Sequence, residues 1–423
     1  MNKKEKINNI LFEQLEKINL DEITFEKINK ITQKFYLELG RKLKNKKINA
    51  EVFIGGSLAK KTLVKKDKYD VDIFVRFDKR YGNDKISSLL EKILGKNARK
   101  IHGSRDYFEI ENEGVLIEII PVLKIKRANE AENVTDLSYF HVNYVLNKIK
   151  KNPKLANEIK LAKVFCYAQD CYGAESYIKG FSGYSLELLI CHYGRFLKFI
   201  KEISKNNNEK IILDDSKFYK DKNEVLRELN EAKTQSPIIL IDPTFKERNA
   251  LAGLSFETLE KFKKVCRKFL KNPSKDFFIK KDIFYELNKK HKDLKTISVS
   301  NLKQKGDIAG TKSRKFFNYF MFKLRQEFEI KIAEFDYNEN KNLAFFYLAL
   351  DKKEDEIKRG PSIDSVENLK KFKKAHRDAF IKNKIAYAKI KHNLSFEEFI
   401  KKFAKNNKKI MEEMGIKEVK IIK

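Results

Sequence analysis

Residues 55–77 read Gly-Gly-Ser-Leu-Ala-Lys-Lys-Thr-Leu, then a lysine-rich stretch, then Tyr-Asp-Val-Asp-Ile-Phe-Val-Arg-Phe. The segment sets a glycine-serine turn ahead of a strand that carries two carboxylates at i and i+2. Side chains alternate along a strand, so Asp70 and Asp72 project from one side and Val71, Ile73 and Val75 from the other. The apolar side can enter a core. Two carboxylates about 7 Å apart on one face seat a hard divalent cation such as Mg²⁺. A phosphate fits beside them, held by the hydroxyl of Ser57 and the backbone N–H groups at the turn.

A third carboxylate is expected from a neighbouring strand. Glu118 is a lone acid inside the apolar run Val115-Leu116-Ile117-Glu118-Ile119-Ile120. A charge centred in such a run is costly unless it is paired or bound to a metal. The competing reading is a glutamate on an edge strand facing solvent. Metal-binding carboxylates, donors for phosphate oxygens and an in-line hydroxyl are the parts phosphoryl transfer requires.

The 423 residues exceed one ordinary core, so about two to four domains are expected. The 91 basic residues against 60 acidic ones give a net charge of +31, a field that attracts polyanions and makes nucleic-acid binding salt-dependent. The four cysteines, Cys166, Cys171, Cys191 and Cys266, form no CxxC pair, which argues against structural zinc or a disulfide framework. A reduced, cytoplasmic setting follows. No signal peptide is evident, and no apolar stretch reaches the roughly 20 residues of a membrane span.

Along the chain, residues 2–45 read as two amphipathic helices, with Leu11, Leu15 and Ile18, then Ile28, Ile31, Phe35 and Leu39, at helical spacing. Strands follow near 52–54, 107–110 and 115–122, with a helix around 86–94. The pattern from about Val142 to Ala232 is helical and contains the stretch Leu155–Gln169 and the strongly apolar Tyr184–Ile200. A short strand, Ile238–Ile241, ends at Asp242-Pro243, and Ser255 caps a helix running to about Leu270. Residues 276–360 mix helix with strands such as 328–335 and 345–350. In Lys312–Lys323, Lys312, Arg314 and Lys315 interleave with Phe316, Phe317 and Tyr319, which suits either an RNA contact or a solvated amphipathic helix.

The turn at Ser57 followed thirteen residues later by Asp-x-Asp resembles the polymerase-beta-like nucleotidyltransferases. A more specific resemblance, to the archaeal-type (class I) CCA-adding enzymes, rests on further landmarks in family order. They are Glu118-Ile119-Ile120-Pro121, Tyr172-Gly173-Ala174-Glu175, Gly180-Phe181-Ser182-Gly183-Tyr184 with Glu187-Leu188-Leu189, Asp242-Pro243-Thr244 through Arg248-Asn249, and Arg359-Gly360-Pro361-Ser362. The resemblance implies an α+β multidomain chain. A nucleotidyltransferase head (1–145) precedes a helical neck (146–250), a body (251–295 and 360–423) and an RNA-binding tail (296–359). It implies Mg²⁺ and template-independent addition of C, C and A to tRNA from CTP and ATP.

Residue by residue, the resemblance places Asp70, Asp72 and Glu118 on the metal-site carboxylates. Ser57 and Lys60 match a phosphate-contacting Ser and basic residue, Ser138 and His141 a Thr and a His near the nucleotide, and Lys163 and Tyr172 a Lys and a Tyr that hold the triphosphate. Arg248 matches an Arg associated with base selection. Glu118 stands where the family usually has Asp, Lys60 replaces an Arg fork, and Arg105-Asp106 replace His-Pro. Without the resemblance, Lys163 and Tyr172 read as surface residues, His141 as a satisfied helix histidine and Arg248 as a loop charge.

Base choice has a physical basis. Cytosine and adenine share an exocyclic amine beside an accepting ring nitrogen, whereas uracil and guanine present a carbonyl beside an N–H. A site with one donor, assigned to Arg248, beside a backbone acceptor rejects the second pair by leaving buried groups unsatisfied. Two rival readings remain: a poly(A)-type or other RNA nucleotidyltransferase, and an inactive RNA-binding relative. The sequence leaves open whether the chain forms a homodimer.

Overall fold

A computed structural model describes residues 2–66, 68–103, 105–205 and 209–422; Asp67, in the lysine-rich stretch, lies outside them. The chain divides into two compact units, Met1–Ala174 with Ile178–Lys280, and Glu175–Tyr177 with Lys281–Lys423.

The first unit opens with α1 (Lys3–Ile18), whose Asn2 cap and Glu5 exchange side-chain to backbone hydrogen bonds. Asp21 caps α2 (Glu22–Asn45). There follow β1 (Ala50–Ile54), one turn of helix α3 (Gly56–Ala59), β2 (Tyr69–Phe77), α4 (Asn83–Leu94), β3 (Arg99–Ile101), β4 (Tyr107–Asn112) and β5 (Val115–Leu123). Their sheet has the order β1-β2-β5-β4-β3. β2 and β5 run parallel at its centre, and the other pairs are antiparallel.

Alternation along β2 and β5 separates two faces. Val71, Ile73, Val75, Ile117 and Ile119 are fully buried, packing with Ile28 and Leu39 of α2 and Ile86 and Leu90 of α4. Burying five such side chains contributes on the order of 8–15 kcal/mol. That sum fixes which face of each strand turns inward, and so sends Asp70, Asp72 and Glu118 to the other.

Pro121 sits in β5 although proline cannot donate to a ladder. It lies beyond the last pairing with β4, at Ile119. Arg105 takes up the freed edge. Its guanidinium donates to the Pro121 carbonyl (3.2 Å), the Thr135 hydroxyl (3.2 Å) and the Asn83 side chain (3.0 Å), and forks onto Asp136. Asp136 in turn accepts from the Leu123 and Asn133 backbone N–H groups. Arg105-Asp106 had no assigned role from sequence; Arg105 ties β5 to the turn leading into the next helix.

The remainder of this unit is α5 (Ser138–Lys151), α6 (Lys154–Ala168), α7 (Gly183–Tyr193), α8 (Phe196–Lys205), β6 (Ile211–Leu213), α9 (Lys222–Glu228), α10 (Glu231–Thr234), β7 (Ile238–Asp242), β8 (Phe245–Asn249) and α11 (Phe256–Lys271). Two expectations need correction. The apolar run 184–200 is not one helix: Gly194, at φ 76°, ends α7 on a left-handed cap. The helical stretch to Ala232 is interrupted by β6, which pairs with β7 in parallel. β7 is buried on both faces and reads as a continuous apolar run.

In the second unit, α12 (Ile283–Lys290), β9 (Lys295–Asn301), α13 (Gly306–Leu324), β10 (Phe328–Asn338), β11 (Leu343–Lys352), β12 (Glu356–Ser362), α14 (Val366–Ala375), β13 (Phe380–Lys382), β14 (Ile385–Ile390), α15 (Phe396–Asn406), α16 (Lys408–Glu413) and β15 (Ile416–Ile421) follow in order. One sheet runs β10-β11-β9-β15 and a smaller one β12-β14-β13. Phe316, Phe320, Phe346, Phe399 and Phe403 form the core. Phe316, Phe317 and Phe320 of Lys312–Lys323 therefore pack inward while Phe322 stays exposed, and the Arg314 guanidinium lies 5.4 Å from the Phe317 ring centroid. The limits at 295/296 and 359/360 fall inside β9 and β12, and β9 pairs with β15.

Arg105 and Asp136 are 3% and 0% exposed at their side chains. Arg105→Met strands a buried carboxylate and is expected to cost about 3–5 kcal/mol in urea unfolding. A loss under about 1 kcal/mol would contradict this structural role.

Candidate active site

Three charged clusters line the polar face of the first sheet and the helices that follow it. The first is a row across adjacent strands. Asp72 of β2 is in register with Glu118 of β5, and Glu118 with Glu109 of β4. Glu109 pairs across to Arg99 of β3, whose Nε donates to it at 3.0 Å. Sequence reasoning missed Glu109; the signal available was an acid between two apolar residues, Phe108 and Ile110, as Glu118 is between Ile117 and Ile119. β5 is central, so the solvent-facing edge-strand reading of Glu118 is excluded.

Crowded like charges show in the ionisation of the row. Burial first, then the charges of Asp72 and Asp70, pushes the Glu118 carboxyl up to about 8. Asp72 is raised by burial and by Asp70, while Lys60, Lys163 and Lys66 pull it back. Asp70 is half exposed and ion-paired with Lys66.

The turn is built around Asp72. The Gly55 N–H donates to the Asp72 carbonyl at 2.9 Å. Gly56 then adopts φ 60°, and a Cβ there would stand 1.7 Å from Asp72 Oδ2. Only glycine allows both the backbone conformation and the approach.

The second cluster is buried. Glu187 of α7 is 1% exposed and receives Lys60 Nζ at 2.6 Å and Lys163 Nζ at 2.8 Å. Lys163 also donates to the Thr62 hydroxyl at 3.1 Å, and the Thr62 N–H donates to the Ser57 carbonyl at 2.9 Å. Burial opposes the Glu187 charge, yet the two lysines outweigh it and lower its pKa. Lys163 is therefore no surface residue. Tyr172 bridges to Phe181, and its hydroxyl lies 2.9 Å from where a side chain on Gly183, the first residue of α7, would begin.

The third cluster centres on Asp242, fully buried at the end of β7. Arg248 Nη1 lies 2.6 Å from its Oδ2, and His141 Nε2 3.0 Å from the same oxygen. The Tyr184 hydroxyl (3.0 Å), the Thr244 hydroxyl (2.7 Å) and the Thr244 N–H (2.9 Å) donate to Oδ1. The last bond is an Asx turn in the β7–β8 hairpin. Burial pushes the Asp242 carboxyl up, but His141 and Arg248 hold it well below the usual carboxylate range. The His141 ring stacks on Tyr184 with centroids 4.0 Å apart, and burial lowers its pKa. Arg248 stands on β8 and is no free loop charge. Ser138 opens α5 one turn before His141, and α5 packs on α3, which carries Ser57.

Among the described residues, no three His, Cys, Asp or Glu side chains stand close enough to cage a metal ion, and Asp70 is ion-paired with Lys66. The donor set nevertheless fits a divalent cation. Asp72 and Glu118 are hard oxygen donors set side by side, the ionised form of each disfavoured first by burial and then by a neighbouring carboxylate, and the partner already drawn to Asp70 is a cation.

A family model described as "tRNA nucleotidyltransferase, second domain" matches residues 157–279, which hold the second and third clusters apart from Lys60, Thr62 and His141. The CCA-adding enzyme of Nanoarchaeum equitans is 35% identical over 342 residues, covering 78% of this chain and 81% of that relative. The chain belongs to the CCA-adding enzymes. Its similarity to the CCA-adding enzyme of Methanocaldococcus jannaschii is 35% over 238 residues, 54% of this chain and 51% of that one. To that of Archaeoglobus fulgidus it is 27% over 392 residues, 88% and 83%. A cytoplasmic RNA terminal U-transferase (15% identity, TM-score 0.50, 66% of this chain and 99% of that) and an RNA terminal uridylyl transferase (15%, 0.51, 67% and 100%) share the fold. As a CCA-adding enzyme the chain is a nucleotidyltransferase that extends tRNA 3′ ends without a nucleic-acid template. Among the described residues, no helix is long and apolar enough to cross a membrane.

Two outcomes follow from the carboxylate row. Gly56→Ala must displace Asp72 or the turn, and nucleotide incorporation is expected to fall about 100-fold or more, as a 1 Å misplacement at a reacting centre does; near-normal turnover would show that the close approach is dispensable. Glu118 has a folded pKa above its unfolded one, so its contribution is present below about 4.5 and is lost as pH rises through about 8. In EDTA, thermal stability of the parent should decline from pH 5 to pH 9, and more steeply than that of Glu118→Gln; parallel curves would contradict the assignment.

Proposed function

We propose that Asp70, Asp72 and Glu118 form the reaction centre at which the 3′-hydroxyl of tRNA is joined to CMP or AMP. Its chief support is the in-register pair Asp72 and Glu118 beneath the Gly55-Gly56-Ser57 turn, with the Lys60–Glu187–Lys163 cluster beside it. In this reading the 3′-hydroxyl gives up its proton to solvent and its oxygen forms a bond to the α-phosphorus of CTP or ATP. The bond from that phosphorus to the β-phosphate bridge breaks, and pyrophosphate leaves. Asp70, Asp72 and Glu118 would hold Mg²⁺. Bound there, it would supply positive charge to the attacking and leaving oxygens.

The chain's own residues bind and orient. Ser57, Lys60, Lys163 and Tyr172 hold the triphosphate, the two ammoniums neutralising charge in a nearly dry setting where each contact counts for more than in water. His141, stacked on Tyr184, and Ser138 flank the nucleoside. Arg248, held by Asp242, presents its remaining N–H groups to the ring nitrogen shared by cytosine and adenine. Residues 1–145 act as catalytic head, 146–250 as neck, 251–295 and 360–423 as body, and 296–359 as the tail that holds RNA by shape. The cysteines Cys166, Cys171, Cys191 and Cys266 are free thiols, in keeping with a cytoplasmic enzyme.

The test is a tRNA transcript lacking its 3′ CCA, incubated with Mg²⁺, CTP and ATP, with the products sequenced. Addition of C, C and A that then stops is expected. Asp70→Ala/Asp72→Ala should reduce it by about 10³-fold or more, the equivalent of several kcal/mol of lost charge stabilisation. An A-tail, or a double mutant of unchanged rate, would overturn this reading.

A further inference from the structure

We propose that Glu187 is a positioning residue that, with Thr62, presets Lys60 and Lys163 as a paired ammonium clamp for the outer phosphates of CTP and ATP. The proposal rests on the reading above and extends it to a residue that touches no substrate. Glu187 is the lone acid of α7, between the buried Leu186, Leu188, Leu189 and Ile190. Each of its oxygens takes a different lysine, at 2.6 and 2.8 Å. The lysines come from separate places, Lys60 from the end of the turn and Lys163 from α6. One carboxylate therefore sets the spacing between two elements that nothing local would fix.

The charge count shows what the cluster is for. An ion pair serving stability alone needs one lysine, and buried pairs are weak sources of stability. Here two ammoniums, 7% and 9% exposed as residues, are held by a single carboxylate that does not neutralise both, and the remaining positive charge acts on Asp72 in a nearly dry setting. Such a charge is costly unless an anion shares it. The same lysines act on the ionisation of Asp72, so the surplus faces the carboxylate row. Thr62 fixes the second end: its hydroxyl accepts from Lys163, and its N–H binds the Ser57 carbonyl. A triphosphate drawn to Ser57 would thus meet two ammoniums already placed.

Glu187→Asp keeps the charge and shortens the reach by one bond, about 1.5 Å, so it can no longer hold both lysines. Calorimetric titration of the full chain with inorganic tripolyphosphate in EDTA should show about tenfold weaker binding, as for one lost hydrogen bond to a charged group. KM for CTP and ATP should rise together by a similar factor, with kcat and tRNA affinity little changed. Thr62→Val, which keeps volume and removes the hydroxyl, should weaken tripolyphosphate in the same direction and serves if Glu187→Asp does not fold. Parent-like tripolyphosphate affinity in both variants, with only a lower Tm, would overturn the proposal and leave a purely structural ion cluster. Lys163→Ala separates the two levels of the argument. If it keeps parent affinity, the triphosphate assignment itself fails; if it loses affinity while Glu187→Asp and Thr62→Val do not, only the positioning role fails.

Discussion

The parallel register of β2 and β5 is the constraint on which the rest of the site depends. It sets Asp72 beside Glu118 on a half-buried face; at the roughly 5 Å spacing of paired strands, two ionised carboxylates would repel by roughly 3 kcal/mol at an effective dielectric near 20, which Glu118 relieves by keeping its proton up to about 8. The opposite face of the same two strands outweighs that cost several-fold through five fully buried aliphatic side chains. The sheet can therefore carry an unfavourable charge arrangement without losing its register. Much of what surrounds it is counter-charge: Lys66 on Asp70, Arg99 on Glu109, and the Lys60–Lys163 pair close enough to act on Asp72.

This division of labour explains what was legible in the chain. The period of two in Tyr69–Phe77 separates acids from aliphatics, and a lone acid in an apolar run marks Glu118. Both signals are local, and both strands were found where they were expected. The same lone-acid signal was present at Glu187, which entered only as part of a family landmark and was given no role of its own. Its partner Lys60 lies 127 positions away, beyond the range of any periodicity. Asp242 was seen as the end of a strand and part of a family landmark, with no site role, although it gathers His141, Tyr184, Thr244 and Arg248. Arg105, which departs from the family pattern, gained an account only when Asn83, Pro121 and Asp136 were seen around it. Local pattern reports which face a side chain takes, whereas partner identity depends on topology.

The misread helix has a similar cause. Apolar residues continue from Tyr184 to Ile200 across Gly194, and hydrophobicity alone does not register a left-handed cap. The break lets α8 leave the direction of α7 and pack on α11, while α7 keeps Glu187 over Lys60 and Lys163.

The overall charge of +31 and the buried lysines act over different ranges. Surface lysines gather a polyanion, but at physiological ionic strength their fields fade within about 8 Å, and they carry no information about which phosphate goes where. Lys60 and Lys163 are few, nearly dry and fixed by one carboxylate, so salt screens them little. Discrimination among phosphates must then come from placement and not from charge total. The chain thus sets a diffuse positive exterior around an acidic row and places between them a pair of ammoniums that one carboxylate only partly neutralises; in the proposed reading, that pair orients a triphosphate at its outer end.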